Sequence, residues 1–265
     1  MKSQTIPMSS DEFHTMPWKL GWKHEYWDGA AHISPSHTAI ATVKVTVGPR
    51  LVKPPCPLRP VTVEDILLLQ PAYLDAFTDT IDHCDYTVEQ IVEAAARNLQ
   101  SYFAGKRGAP LAVSQIALAP DQAEPTAIGV ANVVEKGNGA AFLDLLFVAP
   151  AWQGRGVATA LVGAILNELH ARQKPTLTSR YMLGNAASRA WHQRFGFTEE
   201  VDLFLIRHYY YHAQHEWERH EALGDLDEAR LNKLAEQRDR WGQLLDEVEE
   251  QSKIYGIWSV MTGLE

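Results

Sequence analysis

Apolar residues repeat with different rhythms along this chain. Early on, Trp18, Trp22, Tyr26 and Trp27 precede Asp28-Gly29, a dipeptide suited to a tight hairpin turn. HTAIATVKVTV, over 37–47, is dense in β-branched residues and reads as a strand. Pro54-Pro55-Cys56-Pro57 then punctuates the chain. Beyond it, strand and helix patterns alternate. A short strand is expected over 58–61, and Thr62 is placed to cap a helix starting near Glu64. Helical spacing returns over 87–103, where Val88, Ile91, Val92, Ala95 and Leu99 share a face. Strands are expected over 111–118, 127–136 and 140–148, the last two joined by the turn Lys136-Gly137-Asn138-Gly139. Val157, Leu161, Ile165 and Leu169 mark a helix over 156–172, followed by a strand over 176–181 and a helix over 186–195. From 202 onward the spacing of Leu203, Ile206, Tyr210, Ala213, Trp217 and Leu223 is helical until Gly224. A second, more polar helix over 226–253 completes an antiparallel hairpin, with a short strand expected over 254–261.

These rhythms divide the chain into a β-rich N-terminal extension (1–57), an alternating domain (58–201) and a C-terminal helical hairpin and tail (202–265). The alternation predicts an α/β (α+β) fold, with helices covering a mixed, mostly antiparallel sheet. At roughly 150 residues per domain, the length corresponds to about 1.8 domains. Hydrophobic residues make up 46% and charged residues 22%, enough apolar material for a real core. The formal charge of −9 argues against nucleic-acid binding through phosphate neutralisation. Two cysteines provide no disulfide framework, and no apolar run approaches a membrane span. The first twenty residues lack an apolar signal core, so the expected compartment is a reducing cytoplasm.

Chemistry concentrates in FLDLLFVAPAWQGRGVATALVGAILNEL, residues 142–169. A strand ends at Val148, Ala149-Pro150 turns, and QGRGVA opens an amphipathic helix. Gly154 and Gly156 allow a tight bend, so N–H groups at the helix start converge on an anion, and Arg155 adds a positive charge. The P-loop lysine is missing, and so is the three-glycine dinucleotide fingerprint. What stands instead is Gln153-x-x-Gly156-x-Ala158 after Val-x-Pro. This resembles the coenzyme A loop of the Gcn5-related N-acetyltransferase (GNAT) superfamily, whose signature is Arg/Gln-x-x-Gly-x-Gly/Ala. NAASRAWHQRFGF, residues 185–197, resembles the second family motif, an Asn, an Ala-rich helix and an aromatic-Gly-Phe.

The resemblance covers about 58–201 and implies a GNAT fold and transfer of an acetyl group from acetyl-CoA, as co-substrate, to an amine of a small molecule or peptide. It implies that the pantetheine arm lies along Leu146, Phe147 and Val148, where a β-bulge splays the strand. The pyrophosphate would meet Gln153, Gly154, Arg155, Gly156, Val157 and Ala158, and Asn185 would contact the cofactor or hold its channel. Where the family often carries a thiolate-protonating Tyr, this chain has His192, read as a proton donor or as a packed helix residue. Asp144 is either the general base or a locally paired group; by alternation it shares a face with Phe142, Leu146 and Val148. Glu135 is a weaker substitute. The acceptor side of the family maps to 75–86, where Asp79, Asp82, His83 and Asp85 either hold a cationic amine or form a solvated loop; Cys84 reads as a small packed residue.

Other features depart from the family. His208, His212, His215, Glu216 and His220 resemble a zinc helix, but the interleaved tyrosines read as a packed amphipathic helix, and no metal is expected. The tryptophans at 18–27 read as a small core or a dimer contact. Since 202–223 reads as helix, the strand that normally closes the sheet must come from 38–48, from 256–261 or from another chain. The helical hairpin points to a homodimer through the terminal extensions. The missing Tyr and misplaced carboxylate motivate an alternative function: an acyl-CoA-binding sensor or scaffold with weak catalysis or none.

Overall fold

The computed structural model describes residues 1–224 and 227–254, so the strand expected over 254–261 lies, apart from Ile254, outside the described residues. The described residues form two compact units that interleave along the sequence: 1–2, 42–181 and 185–199 in the first, and 3–41, 182–184, 200–224 and 227–254 in the second. Among the described residues no helix is long and apolar enough to cross a membrane.

The first unit is built on a sheet of strands β4 (Ile40–Thr46), β5 (Leu58–Pro60), β6 (Ala109–Pro110), β7 (Gln115–Leu118), β8 (Ala127–Glu135), β9 (Ala141–Val148), β10 (Thr176–Met182) and β11 (Thr198–Glu200). Their order is β11-β4-β10-β9-β8-β7-β5, with β6 paired to β8. The 40–46 strand thus enters the sheet between β10 and β11, which selects the first of the three sources left open for the closing strand. Strand β7 is shorter than the apolar run 111–118, because Ser114 N–H bonds back to Leu111 O at 3.1 Å and the chain turns there. The three-residue β11 has no apolar alternation and escapes sequence reading.

Helices α2 (Ile66–Phe77) and α3 (Val88–Phe103) pack with Phe147 in one core, where Leu69, Tyr73, Ile91, Leu99, Ile116 and Val130 are buried. Helix α4 (Val157–Ala171) buries Leu161, Ile165 and Leu169 completely, the face its spacing predicts. Each such side chain contributes about 1.5–3 kcal/mol of burial free energy. Helix α5 (Ala186–Phe195) ends at Gly196, whose φ of 104° suits the left-handed stop that a side chain resists.

In the second unit, strands β1 (Gln4–Pro7), β2 (Trp22–Trp27) and β3 (Ala30–Pro35) form an antiparallel sheet. Asp28 and Gly29 both have positive φ, 52° and 71°, as the expected two-residue hairpin turn requires. Helix α1 (Ser10–Thr15) has a full capping box between Ser9 and Glu12. Helices α6 (Leu203–Ala222) and α7 (Glu228–Ile254) form an antiparallel pair: Arg207 meets Glu249 at 2.8 Å, and Tyr209 stacks on Trp241 at 4.6 Å.

Candidate functional site

Strands β9 and β10 are parallel neighbours for two residue pairs only, Ala141 with Leu177 and Phe142 with Thr178. Both strands continue, but apart, so the backbone polar groups of β9 beyond that point lose their ladder partners on this side. A cleft of about 1070 Å³ opens there. Leu146, Phe147 and Val148 form one wall, and Gln153, Gly154 and the first turn of α4 from Gly156 form another. The end of α2 with Thr80 and Asp82, the outer face of α5, and the segment 50–53 complete the lining.

A bulge accompanies the parting. Asn132 of β8 faces Leu145 and Val133 faces Leu143, leaving Asp144 as the extra residue on β9. One extra residue shifts the parity of every side chain after it, and this corrects the simple alternation. Asp144 does not share a face with Leu146 and Val148 at the cleft. It pairs with Arg107 at 2.9 Å, its side chain 6% exposed. Burial raises its pKa, opposed by Arg107 and Lys136.

The turn after β9 is fastened by Gln153, whose Nε2 donates to Val148 O at 2.9 Å. Gly154 and Gly156 take φ values of 72° and 83°, which side chains resist, although open space surrounds both. Gly156 is the N-cap of α4 and supplies no side-chain cap, whereas α3, α5 and α6 are capped by Thr87, Asn185 and Asp202. The N–H groups of the first turn therefore keep their bonding capacity, reinforced by the partial positive charge of the helix start. A diphosphate fits this position by charge and by donor geometry. Of the ten positions implied for the cofactor, nine line the cleft; Arg155 does not, and its guanidinium lies over Trp152 at 5.1 Å.

Asn185 caps α5 through its Oδ1, which accepts from Ser188 N–H at 3.0 Å. Its Nδ2 donates to the Asp82 carboxylate at 3.0 Å, so the two residues meet on the cleft wall. Burial pushes the Asp82 carboxyl up; the Asn185 bond and the neighbouring His83 oppose the shift. In sequence Asp82 was one acid among several, with nothing to single it out. Next to it, His83 meets the Tyr73 hydroxyl at 3.0 Å, and Asn98 donates to that hydroxyl at 2.7 Å. Burial pushes the Tyr73 phenol up to about 12.

His192 lies outside the cleft lining, at the apex where β9 and β10 part, and is 4% exposed. Its Nδ1 donates to Ser188 O at 2.8 Å, which leaves Nε2 to accept from the Ser179 hydroxyl at 3.3 Å. Tyr181, Trp191 and Phe197 surround the ring, and burial lowers its pKa. Glu135 pairs with Lys174 at 2.5 Å and is likewise absent from the lining.

The histidines of α6 serve the second unit's packing. His215 Nε2 donates to Met16 O at 2.9 Å and His212 Nε2 to Trp18 O at 3.1 Å. Trp18 stacks between His215 and His24 and so contributes to a small aromatic core, whereas Trp27 is exposed. Among the described residues no three His, Cys, Asp or Glu side chains are grouped to hold a metal ion.

Residues 72–197 match the family model described as the acetyltransferase (GNAT) family. Comparison with curated proteins gave no match. Among solved structures, a GCN5-related N-acetyltransferase from Sphaerobacter thermophilus is 17% identical with a TM-score of 0.45; the alignment covers 61% of this chain and 48% of that one. This chain thus spans about half the length of that protein. PaiA N-acetyltransferase from Thermoplasma acidophilum, solved in complex with coenzyme A, is 17% identical over 55% of this chain and 92% of its own, with a TM-score of 0.43. The ribosomal-protein-S18-alanine N-acetyltransferase of Escherichia coli is 19% identical over 55% and 79%, with a TM-score of 0.41. The paired sequence motifs, the mixed sheet with its helices and the matched segment agree: residues 72–197, somewhat less than half of the chain, are similar to the GNAT acetyltransferase family.

Proposed function

We propose that the protein is an acyl-CoA-dependent N-acyltransferase that moves an acetyl group from acetyl-CoA to a cationic amine by direct attack. The observation that carries this reading is the uncapped, glycine-led start of α4 opening on the cleft between the parted strands. Bound acetyl-CoA would supply a thioester carbonyl, to which the amine nitrogen bonds as the carbon–sulfur bond breaks. The first turn of α4 holds the diphosphate, and the unpaired edge of Leu146–Val148 holds the pantetheine amides. An N–H on that edge stabilises negative charge growing on the carbonyl oxygen. Asp82, rather than Asp144, is the carboxylate on the cleft wall; it attracts the ammonium group and accepts its first proton, while the second proton, shed by the nitrogen as the amide forms, reaches the leaving thiolate through water. In domain terms, the acyl-transfer unit is 58–201 completed by β4 and by residues 50–53.

Acetyl-CoA titration followed by thiol release with a panel of amines tests the proposal. Saturable binding with amine-dependent thiol release supports it, and absence of binding ends it. A second reading, an acyl-CoA sensor or scaffold without turnover, is favoured by one observation: neither His192 nor Asp144 lines the cleft. Tight binding without amine-dependent release would select that reading. We place the protein in the cytoplasm on the strength of its two cysteines, which form no disulfide. A homodimer through the terminal segments belongs to the same proposal, supported by the exposed Phe204 and Tyr211 of α6 and Leu223 at its C-cap. A monomer mass by light scattering would remove it.

A further inference from the structure

The segment 50–53 precedes the family's matched residues, yet it lies on the cleft wall. Two hydrogen bonds fasten it to α4: Arg50 N–H donates to Asn167 Oδ1 at 2.7 Å, and Asn167 Nδ2 donates to Arg50 O at 3.0 Å. Val52 approaches the middle of the same helix, where a Cβ on Gly163 would come within 2.9 Å of Val52 Cγ2. A mid-helix glycine weakens a helix, and here it gives this segment room to dock.

The docked segment brings charge with it. Arg50 and Lys53 line the cleft, as does Arg194 of α5, and among the described residues none of the three forms an ion pair with a carboxylate. The Arg50 guanidinium lies 5.6 Å from the centre of the Phe195 ring. Between the two cations Leu51 is 90% exposed, an apolar side chain left in water on the cleft wall. In a chain of net charge −9, three cations on one cleft call for an anion. The diphosphate is already met by the first turn of α4, but coenzyme A carries one more phosphate, on the ribose 3′ oxygen, beside a flat purine.

We infer that residues 50–53 form a nucleotide strap that, with Arg194, makes the protein select coenzyme A for its 3′-phosphate. Arg50, Lys53 and Arg194 meet the phosphate oxygens as point charges and charge-assisted donors. Leu51 and Phe195 offer apolar surface to the purine. The inference rests on the acyl-CoA reading above and adds a specificity to it.

The test is calorimetric titration of the full chain with coenzyme A and with 3′-dephospho-coenzyme A. The unaltered protein is expected to bind coenzyme A at least about tenfold more tightly, the scale of one charged hydrogen bond. In the Arg50→Ala/Lys53→Ala variant that preference collapses while the affinity for the dephosphorylated form stays as it was. All three cationic residues are exposed, so the fold survives the changes, and an unchanged melting temperature confirms it. Equal affinities in the unaltered protein overturn the strap, as does a variant that weakens both ligands equally. If neither ligand binds the unaltered protein, the acyl-CoA reading falls as well, an outcome distinct from binding without preference.

Discussion

At the start of α3, the Thr87 hydroxyl accepts from Gln90 N–H at 3.3 Å, and the Gln90 side chain accepts from Thr87 N–H at 2.8 Å. At the start of α4, Gly156 stands at φ 83° with no side chain to offer. Both helices begin with unpaired N–H groups. The first spends a reciprocal cap on them and gains stability; the second leaves them facing a cleft. A helix start without a cap is a stability loss that makes sense where something else is to be bound, and the uncapped start of α4 lines the cleft.

The contrast is broken most severely by Ala158→Glu. A carboxylate in the first turn of a helix is favoured by the helix dipole, so the melting temperature should hold or rise. The same carboxylate repels a diphosphate, and acetyl-CoA affinity should fall about a hundredfold or more, roughly 2.7 kcal/mol. Calorimetry beside thermal unfolding reads both; retained affinity would show that the α4 start is not the anion site. Next in size is Asp82→Asn, which should lower amine-dependent turnover about a hundredfold with acetyl-CoA affinity unchanged. Because burial raises the Asp82 pKa in the folded protein, its ionised form opposes folding. That penalty is absent below the unfolded carboxylate pKa and grows as pH rises through the folded value. The asparagine variant should therefore melt higher at neutral pH, and any amine-dependent turnover of the unaltered protein should fall as pH drops into the raised carboxylate range. Full turnover in the variant removes Asp82 from the chemistry.

Smaller effects separate packing from binding. His192→Phe removes the ring's bonds to the Ser188 carbonyl and the Ser179 hydroxyl, although that hydroxyl keeps Leu143 O at 3.4 Å, and should cost about 0.5–1.5 kcal/mol of stability while acetyl-CoA still binds. A drop in turnover beyond the loss of folded protein would return His192 to the role of proton donor. Thr87→Ala, the counterpart on α3, should cost about 1 kcal/mol and leave acetyl-CoA affinity untouched; altered affinity would mean that the two helix starts are not independent. Finally, burial lowers His24 to about 4 and lowers His192, His208 and His215 in the same direction. Their stabilising contribution is present above the unfolded histidine pKa of about 6.5 and is lost as pH falls from there towards 4. The raised carboxyls of Asp82 and Asp144 act in the opposite sense. Melting temperatures between pH 7.5 and 5 should therefore fall less in His24→Phe than in the unaltered chain; parallel curves would contradict the assignment.

The sequence by itself determined what local spacing controls. The helix over Ala186–Phe195 and the buried stripe of α4 follow from the 3.6-residue period, and the Asp28-Gly29 hairpin from the positive φ its turn demands. The glycine-led start of α4 was legible for the same reason, since the positive φ of Gly154 and Gly156 concerns only neighbouring residues. Tertiary structure decided whatever depends on distant partners. It chose the 40–46 strand to stand between β10 and β11, because any β-branched segment can fill that place and only the chain path selects one. It also turned Asp144 away from the cleft, since a bulge is a property of two strands in register and one strand's alternation does not contain it. It brought Asp82 to Asn185 across 103 residues and folded residues 50–53 onto α4. Periodicity is written in one segment. A cleft is written in several, and its chemistry appears only once they meet.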